Sequence, residues 1–351
     1  MIARAITAGR VIGMRRGCTV VFVSLLCLFL CTGRTEEASP AYAELHRAAG
    51  FSQLWVWDTL ALEDETVFSE FIRMLAEGGF TTVFLNVGVL AEYGELHLTA
   101  RPDLFAALLQ ACHANDIAVE ALFGAPAWAT AAFSHDMLLQ VKAVFEFNCE
   151  YGRRFLLQTG RVQFDGLHLD IEPQGLDGKS ADIPYRWHWG ERPGPAEQEE
   201  NRALLRQWLN NMRLLRRTVD VHNRQNRDDL IINLDINPWL SENHLYRDLY
   251  SEIIPCADRI TLMLYTSDAE MFVRQGEAFL RNWQALNRPV VCGVELQKEW
   301  GGNLFAFTPE ELSGFLAQAG ETFRKYPDFA GYAVHNYRAY REYIRRYPAF
   351  N

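Results

Sequence analysis

Eight short apolar runs punctuate the chain beyond residue 50, at 54–57, 82–87, 118–123, 166–171, 230–236, 260–265, 290–296 and 331–334. Most are continuous rather than alternating, the pattern of strands covered on both faces. Between them lie segments whose apolar residues recur at helical spacing: 66–75, 103–113, 137–157, 201–223, 240–254, 269–286 and 309–324. The first of these stops at Gly78-Gly79, a C-terminal signal. The last begins with Thr308-Pro309, an N-cap followed by Pro at the first helical position. Strand followed by helix, repeated along the chain, predicts an α/β fold, a closed (β/α)8 TIM barrel. The competing arrangement is an open doubly wound sheet. Asp58-Thr59-Leu60 follows the first strand where a glycine-rich phosphate loop would stand, so dinucleotide binding loses its main support.

One connection is long. Residues 173–200 follow the fourth strand and carry Tyr185, Trp187, His188 and Trp189 among Gly, Pro and charged residues. In a barrel this insertion sits on the C-terminal face, where active sites are built. Its aromatic planes suit the C–H faces of sugar rings, with Trp187 and Trp189 as the expected platform. The alternative is a lid that packs a small core of its own.

The chain has 351 residues, and its beginning reads differently from the rest. Arg4, Arg10, Arg15 and Arg16 flank the start of an apolar run over 18–31, and Ala41-Tyr42-Ala43 offers small residues at a cleavage site. That order is the pattern of a secretory signal peptide, and the run is shorter than the ~20 residues of a membrane span. The expectation is a signal over 1–43, with a retained membrane anchor as alternative, and one barrel domain over 44–351. The protein is then exported: periplasmic, extracellular or membrane-anchored, with any membrane attachment through the N-terminal segment only.

Net charge is −10, and the barrel region alone is near −13, because the first 43 residues hold five Arg and two Glu. An acidic surface argues against nucleic acid as partner. Cys112, Cys149, Cys256 and Cys292 are spaced too widely for a zinc site and read as buried free thiols.

The chemistry concentrates in Asp165-Gly166-Leu167-His168-Leu169-Asp170-Ile171-Glu172-Pro173. Strand alternation sends His168, Asp170 and Glu172 to one face and Leu167, Leu169 and Ile171 to the other. In a barrel the first set lines the interior and rises to the mouth. Three ionisable groups in one column are costly to bury without partners. Two neighbouring carboxylates resist double ionisation, so one is pushed toward its protonated form, as a general acid requires.

This motif resembles the fourth strand of the chitinases, family 18 of the glycoside hydrolases, which reads D-G-x-D-x-D-x-E. The chain matches at Asp165, Gly166, Asp170 and Glu172 and has His168 where the family has Asp. Met263-Leu264-Tyr265 is similar to the family's M-x-Y-D on the sixth strand, with Thr266 in place of the Asp and Asp268 close behind. The resemblance implies a carbohydrate substrate, Glu172 as proton donor, and Asp170 and Tyr265 orienting a substrate acetamido group that attacks the anomeric carbon. A second route is open. Many retaining glycosidases on this fold carry the acid on strand four and a carboxylate nucleophile on strand seven. Ile171-Glu172-Pro173 resembles their N-E-P, and Glu295 ends the seventh strand.

Other polar and aromatic residues at predicted strand ends are candidate sugar contacts: Asp58, Asn86, Glu120, Asp235, Asn237, Trp239, His335 and Tyr337, with His168 in the column itself. No cofactor is expected. A metal site built from His335, His168, Asp170 and Glu120 is the alternative, but Trp55-Val56-Trp57 occupies the place of the H-x-H that such barrels carry early. His97, His113 and His222 read as surface residues. The two rival functions are a sugar-binding barrel without turnover and a metal-dependent hydrolase or deacetylase.

Overall fold

A computed structural model of the chain describes residues 50–88, 96–155, 161–179, 184–189 and 193–347. The signal expected over 1–43 lies outside the described residues. Eight parallel strands pair in sequence order and close: β1 (Phe51–Val56), β2 (Thr82–Asn86), β3 (Ala118–Phe123), β4 (Gly166–Leu169), β5 (Ile231–Ile236), β6 (Arg259–Met263), β7 (Val290–Glu295) and β8 (Phe329–His335). Each expected strand is present. The fold is the (β/α)8 barrel, and the open sheet is excluded because β8 pairs with β1 through Gln53–Ala333 and Leu54–Val334.

The helices are α1 (Glu65–Gly78), α2 (His97–Ala100), α3 (Pro102–His113), α4 (Ser134–Phe155), α5 (Pro195–Asn226), α6 (Pro238–Ser241), α7 (Arg247–Ile253), α8 (Ala269–Trp283), α9 (Pro309–Phe323) and α10 (Tyr337–Arg345). Their starts are chemically specified. Asp64 accepts the N–H groups of Thr66 and Val67 at α1, and Thr308 and Glu311 form a capping box at α9. The helix expected over 240–254 is broken in two. Asn243 intervenes, its side chain accepting from the Leu245 N–H in a turn that the helical pattern does not betray. Helix α10 was not expected. It buries Tyr337, Ala339, Tyr340, Tyr343 and Ile344, and its interspersed arginines hide that apolar stripe. Among the described residues no helix is long and apolar enough to cross a membrane.

Two apolar layers result. The larger lies between strands and helices. The smaller lies inside the barrel, where Trp55, Phe84, Leu122, Val291 and Ala333 pack together with Trp57 against them. Burying side chains of this size contributes ~1.5–3 kcal/mol each and fills the middle of the barrel. Polar residues inside are thereby divided into a closed set below and an open set at the mouth.

The four cysteines are free, three of them buried and Cys149 partly so. Burial pushes the Cys112 thiol up to about 12, so it is inert near neutral pH. His222, expected at the surface, is buried, stacked on Phe145 at 3.9 Å and 3.3 Å from Asp228. His113 is partly buried and reaches Asp165 at 2.8 Å, while His97 is half-buried.

Candidate active site

The column predicted on β4 exists, but its members live at different levels. His168 has no exposed surface. Its ring stacks on Phe84 at 3.8 Å, meets Trp55 edge-on at 5.5 Å, and faces Glu120 at 3.4 Å and the Asp235 carboxylate at 3.0 Å. Glu120 is equally closed in and takes further hydrogen bonds from Arg259 at 2.6 Å and Asn233 at 2.8 Å. Thr261 completes the layer by donating to Asn233 at 3.0 Å. His168 and Glu120, expected to contact sugar, are therefore sealed below the mouth.

Above them a cavity of about 430 Å³ opens at the C-terminal ends of the strands, lined by Trp55, Trp57, Asp58, Asp170, Glu172, Asp235, Tyr265 and His335 among others. Asp170 and Glu172 follow the last paired residue of β4, where the chain leaves the sheet for a turn of 3-10 helix at Pro173–Gly175. Asp170 presents Oδ1 without a hydrogen-bond partner. Burial, reinforced by the Asp235 and Glu172 charges, holds its carboxyl well above the usual carboxylate range. Burial and the Asp235 charge also raise Glu172, against the effect of the Gln174 amide, which donates to Oε1 at 2.5 Å. Burial, with the carboxylates around it, keeps the Tyr265 phenol protonated and able to donate.

Two glycines make room for this arrangement from neighbouring loops. A Cβ at Gly124, just past β3, would stand 2.2 Å from the Asp170 carbonyl oxygen. One at Gly302, whose φ is +75°, would stand 2.3 Å from that of Tyr265. Each glycine lets a second backbone touch that of a mouth residue.

Glu295 has a different setting from the one expected. It is 1% exposed and does not line the cavity. Its Oε2 receives His335 Nδ1 at 2.8 Å and its Oε1 the Gln297 N–H at 2.6 Å. The Trp57 indole, which can only donate, reaches His335 Nε2 at 2.8 Å. The ring proton of His335 therefore sits on Nδ1, facing Glu295. Glu295 orients His335, and both of its oxygens are engaged in hydrogen bonds.

Other expected contacts are also structural. Asn86 bonds the Trp57 carbonyl and the Gly88 N–H, holding the β1 and β2 ends together. Asn237 caps α6. Tyr337 packs on Phe71 at 5.0 Å in the core outside the barrel. Trp187 is 2% exposed, against Tyr246 at 5.3 Å. The insertion folds back on itself through Asp177 and Arg186, with the Trp187 N–H on the Leu176 carbonyl. Trp189 and Trp239 remain exposed and stack on each other at 5.9 Å. Asp268 caps α8. The residues considered for a metal are split between two levels, His168 with Glu120 below and His335 with Asp170 above. Among the described residues no group of three or more His, Cys, Asp or Glu is placed to hold a metal ion.

Sequence reasoning missed Gln174, and also Lys298, Trp300 and Arg338 along the cavity wall. Lys298 and Trp300 follow β7 directly, and that position alone was a signal. Arg338 lies in the unexpected α10.

No protein-family model and no curated protein matches the chain. Similar solved structures include a family 18 chitinase from Pseudoalteromonas aurantia, at 13% identity over 82% of this chain and 94% of that one, TM-score 0.47. A chitinase from Aspergillus fumigatus is 16% identical over 82% of this chain and 91% of that one, TM-score 0.46. A C-terminal domain from Desulfitobacterium hafniense, assigned to a chitinase, is 16% identical over 70% of this chain, TM-score 0.40; the chain spans 66% of it. Likenesses at this level leave the chemistry to be decided by the residues of the cavity.

Proposed function

We propose that the protein is a glycoside hydrolase acting on a glycan that carries N-acetylated sugars, with Glu172 as its general acid. The observation that carries this reading is the pair Asp170 and Glu172, raised toward their protonated forms beside the Tyr265 phenol in an open mouth cavity. Glycoside cleavage needs a proton on the departing oxygen and support for an oxocarbenium-like centre. Glu172 gives the proton. With Glu295 committed to His335 and Gln297, the two-carboxylate route lacks its nucleophile on β7, and the substrate's own acetamido oxygen is the remaining candidate. Asp170 Oδ1, free of partners, suits the acetamido N–H, and the Tyr265 hydroxyl suits its carbonyl. Trp300, exposed on the cavity wall, and the exposed stacked pair Trp189 and Trp239 offer planes for further sugar units.

Glu172→Gln tests the assignment. Turnover on unactivated glycans should fall ~10²–10⁴-fold while glycan affinity persists. Full activity in this variant on every glycan that the wild type cleaves would sink it. Wild-type protein that binds N-acetylated glycans and never cleaves them would favour a sugar-binding barrel, a reading to which Thr266, in place of the family's Asp, lends weight.

The basic start, apolar run and Ala41-Tyr42-Ala43 support a site of action outside the cytoplasm. Mass spectrometry of the mature protein should find its N-terminus at or near Glu44. An intact N-terminus on soluble cytoplasmic protein would refute export.

A further inference from the structure

His168 is the one member of the β4 column that the proposed reaction does not use. Both its ring nitrogens face carboxylates, Nδ1 toward Glu120 at 3.4 Å and Nε2 toward Asp235 at 3.0 Å. Ionised carboxylates only accept, so both nitrogens carry protons and the ring is cationic. Burial alone would lower the ring's pKa; the Asp235 and Glu120 carboxylates overcome it and hold it at about 9.

The surroundings give that charge a direction. On one side Glu120 is already balanced by Arg259 from β6 and bonded by Asn233 from β5. On the other side Asp235 is 3% exposed, and His168 is the only cation at hydrogen-bond distance from it among the described residues. The residues packed on the ring from β1 and β2, Trp55 and Phe84, carry no charge. The other titratable groups lining the cavity are Asp58 beyond β1, Asp170 and Glu172 beyond β4, Tyr265 beyond β6, Lys298 and Glu299 beyond β7, His335 on β8, and Arg338 and Glu342 on α10. Charge thus alternates through the barrel interior, Arg259, Glu120, His168, Asp235, and ends against Asp170 and Glu172.

We propose that His168 is a positioning residue: a buried, standing cation that pins Asp235 as a fixed negative charge, so that Asp235 in turn keeps a proton on Glu172. This rests on the reading of Glu172 as the acid. An Asp at position 168, as in the family pattern, could take or give a proton within the cluster. An imidazolium clamped by two carboxylates cannot accept one, so the charge that biases the acid moves across to β5. Asp235 is then a site residue without contact to the departing oxygen.

His168→Asn removes the cation and keeps a donor. Asp235 should then no longer be held against Glu172 as a fixed charge, and the acid should lose its proton at lower pH. The alkaline limb of the kcat/KM profile should move down by about one pH unit or more, and Asp235→Asn should move it the same way. An unmoved limb in both variants, or an upward shift in His168→Asn, overturns the proposal, whatever happens to the melting temperature. Nitrogen-15 NMR of the wild-type protein needs no variant and no turnover. Two protonated ring nitrogens on His168 at pH 7 are expected, and a neutral ring overturns the proposal even if His168→Asn fails to fold. A cationic ring in a protein that cleaves no glycan would remove the hydrolase reading and leave the pinning of Asp235. A neutral ring in an active enzyme would do the reverse.

Discussion

Glu172 and Glu295 stand at the carboxyl ends of barrel strands, and in the sequence each looks like a catalytic carboxylate. Their surroundings are opposite. Both oxygens of Glu295 are taken, by His335 Nδ1 and by the Gln297 N–H, and the side chain is closed off. Glu172 has one amide neighbour, Gln174, and faces a cavity beside Asp170, whose Oδ1 has no partner. A buried carboxylate with its hydrogen bonds complete is a structural brace; one left short of partners has capacity to spend on a ligand. The two regions differ in satisfaction rather than in residue type.

Mutations can break this comparison, and the widest gap should separate two shape-preserving changes. Beside the ~10²–10⁴-fold loss expected for Glu172→Gln, Glu295→Gln should cost less than about tenfold in turnover. It should instead lower stability by ~1.5–3 kcal/mol, because an amide cannot accept from both donors. A 100-fold loss of turnover in Glu295→Gln, measured with the melting temperature, would return that carboxylate to the reaction. The next contrast lies within the insertion. Trp187→Ala should cost ~3–5 kcal/mol in denaturant unfolding, as removal of a buried aromatic does. Trp189→Ala should stay within ~0.5 kcal/mol and weaken glycan binding instead. Equal stability losses at the two positions would show that the insertion is one packed unit with no platform.

The barrel was readable because buried parallel strands and amphipathic helices each leave a periodic trace. Asp170 and Glu172 were readable for the same reason: two carboxylates on one face of an apolar strand have few structural explanations. The setting of Glu295 was hidden because its partner, His335, lies 40 residues away and the bond between them is set by the β7–β8 register. Trp187 and Trp189 share parity, yet one is core and the other exposed. Their segment is irregular, and in such a segment parity carries no information. Tyr337 stands at a strand end in the sequence, and the arginines of α10 conceal the helix that turns it into the core. Asn86 and Asn237 show a recurrent ambiguity. An amide at a strand end can meet a ligand or satisfy nearby backbone, and here backbone claims both.

Gly124 and Gly302 extend the meaning of the site beyond the groups that meet a substrate. Each is a vacancy that another loop's backbone fills, at Asp170 in one case and Tyr265 in the other. The placement of two mouth residues is thus written partly as missing atoms on loops that take no part in the chemistry. In a survey of all substitutions along the chain, these two positions would stand out as tolerating nothing larger than hydrogen. A map of sensitivity drawn from such a survey would mark the mouth of the barrel twice, once by the residues that react and once by the mould that holds them.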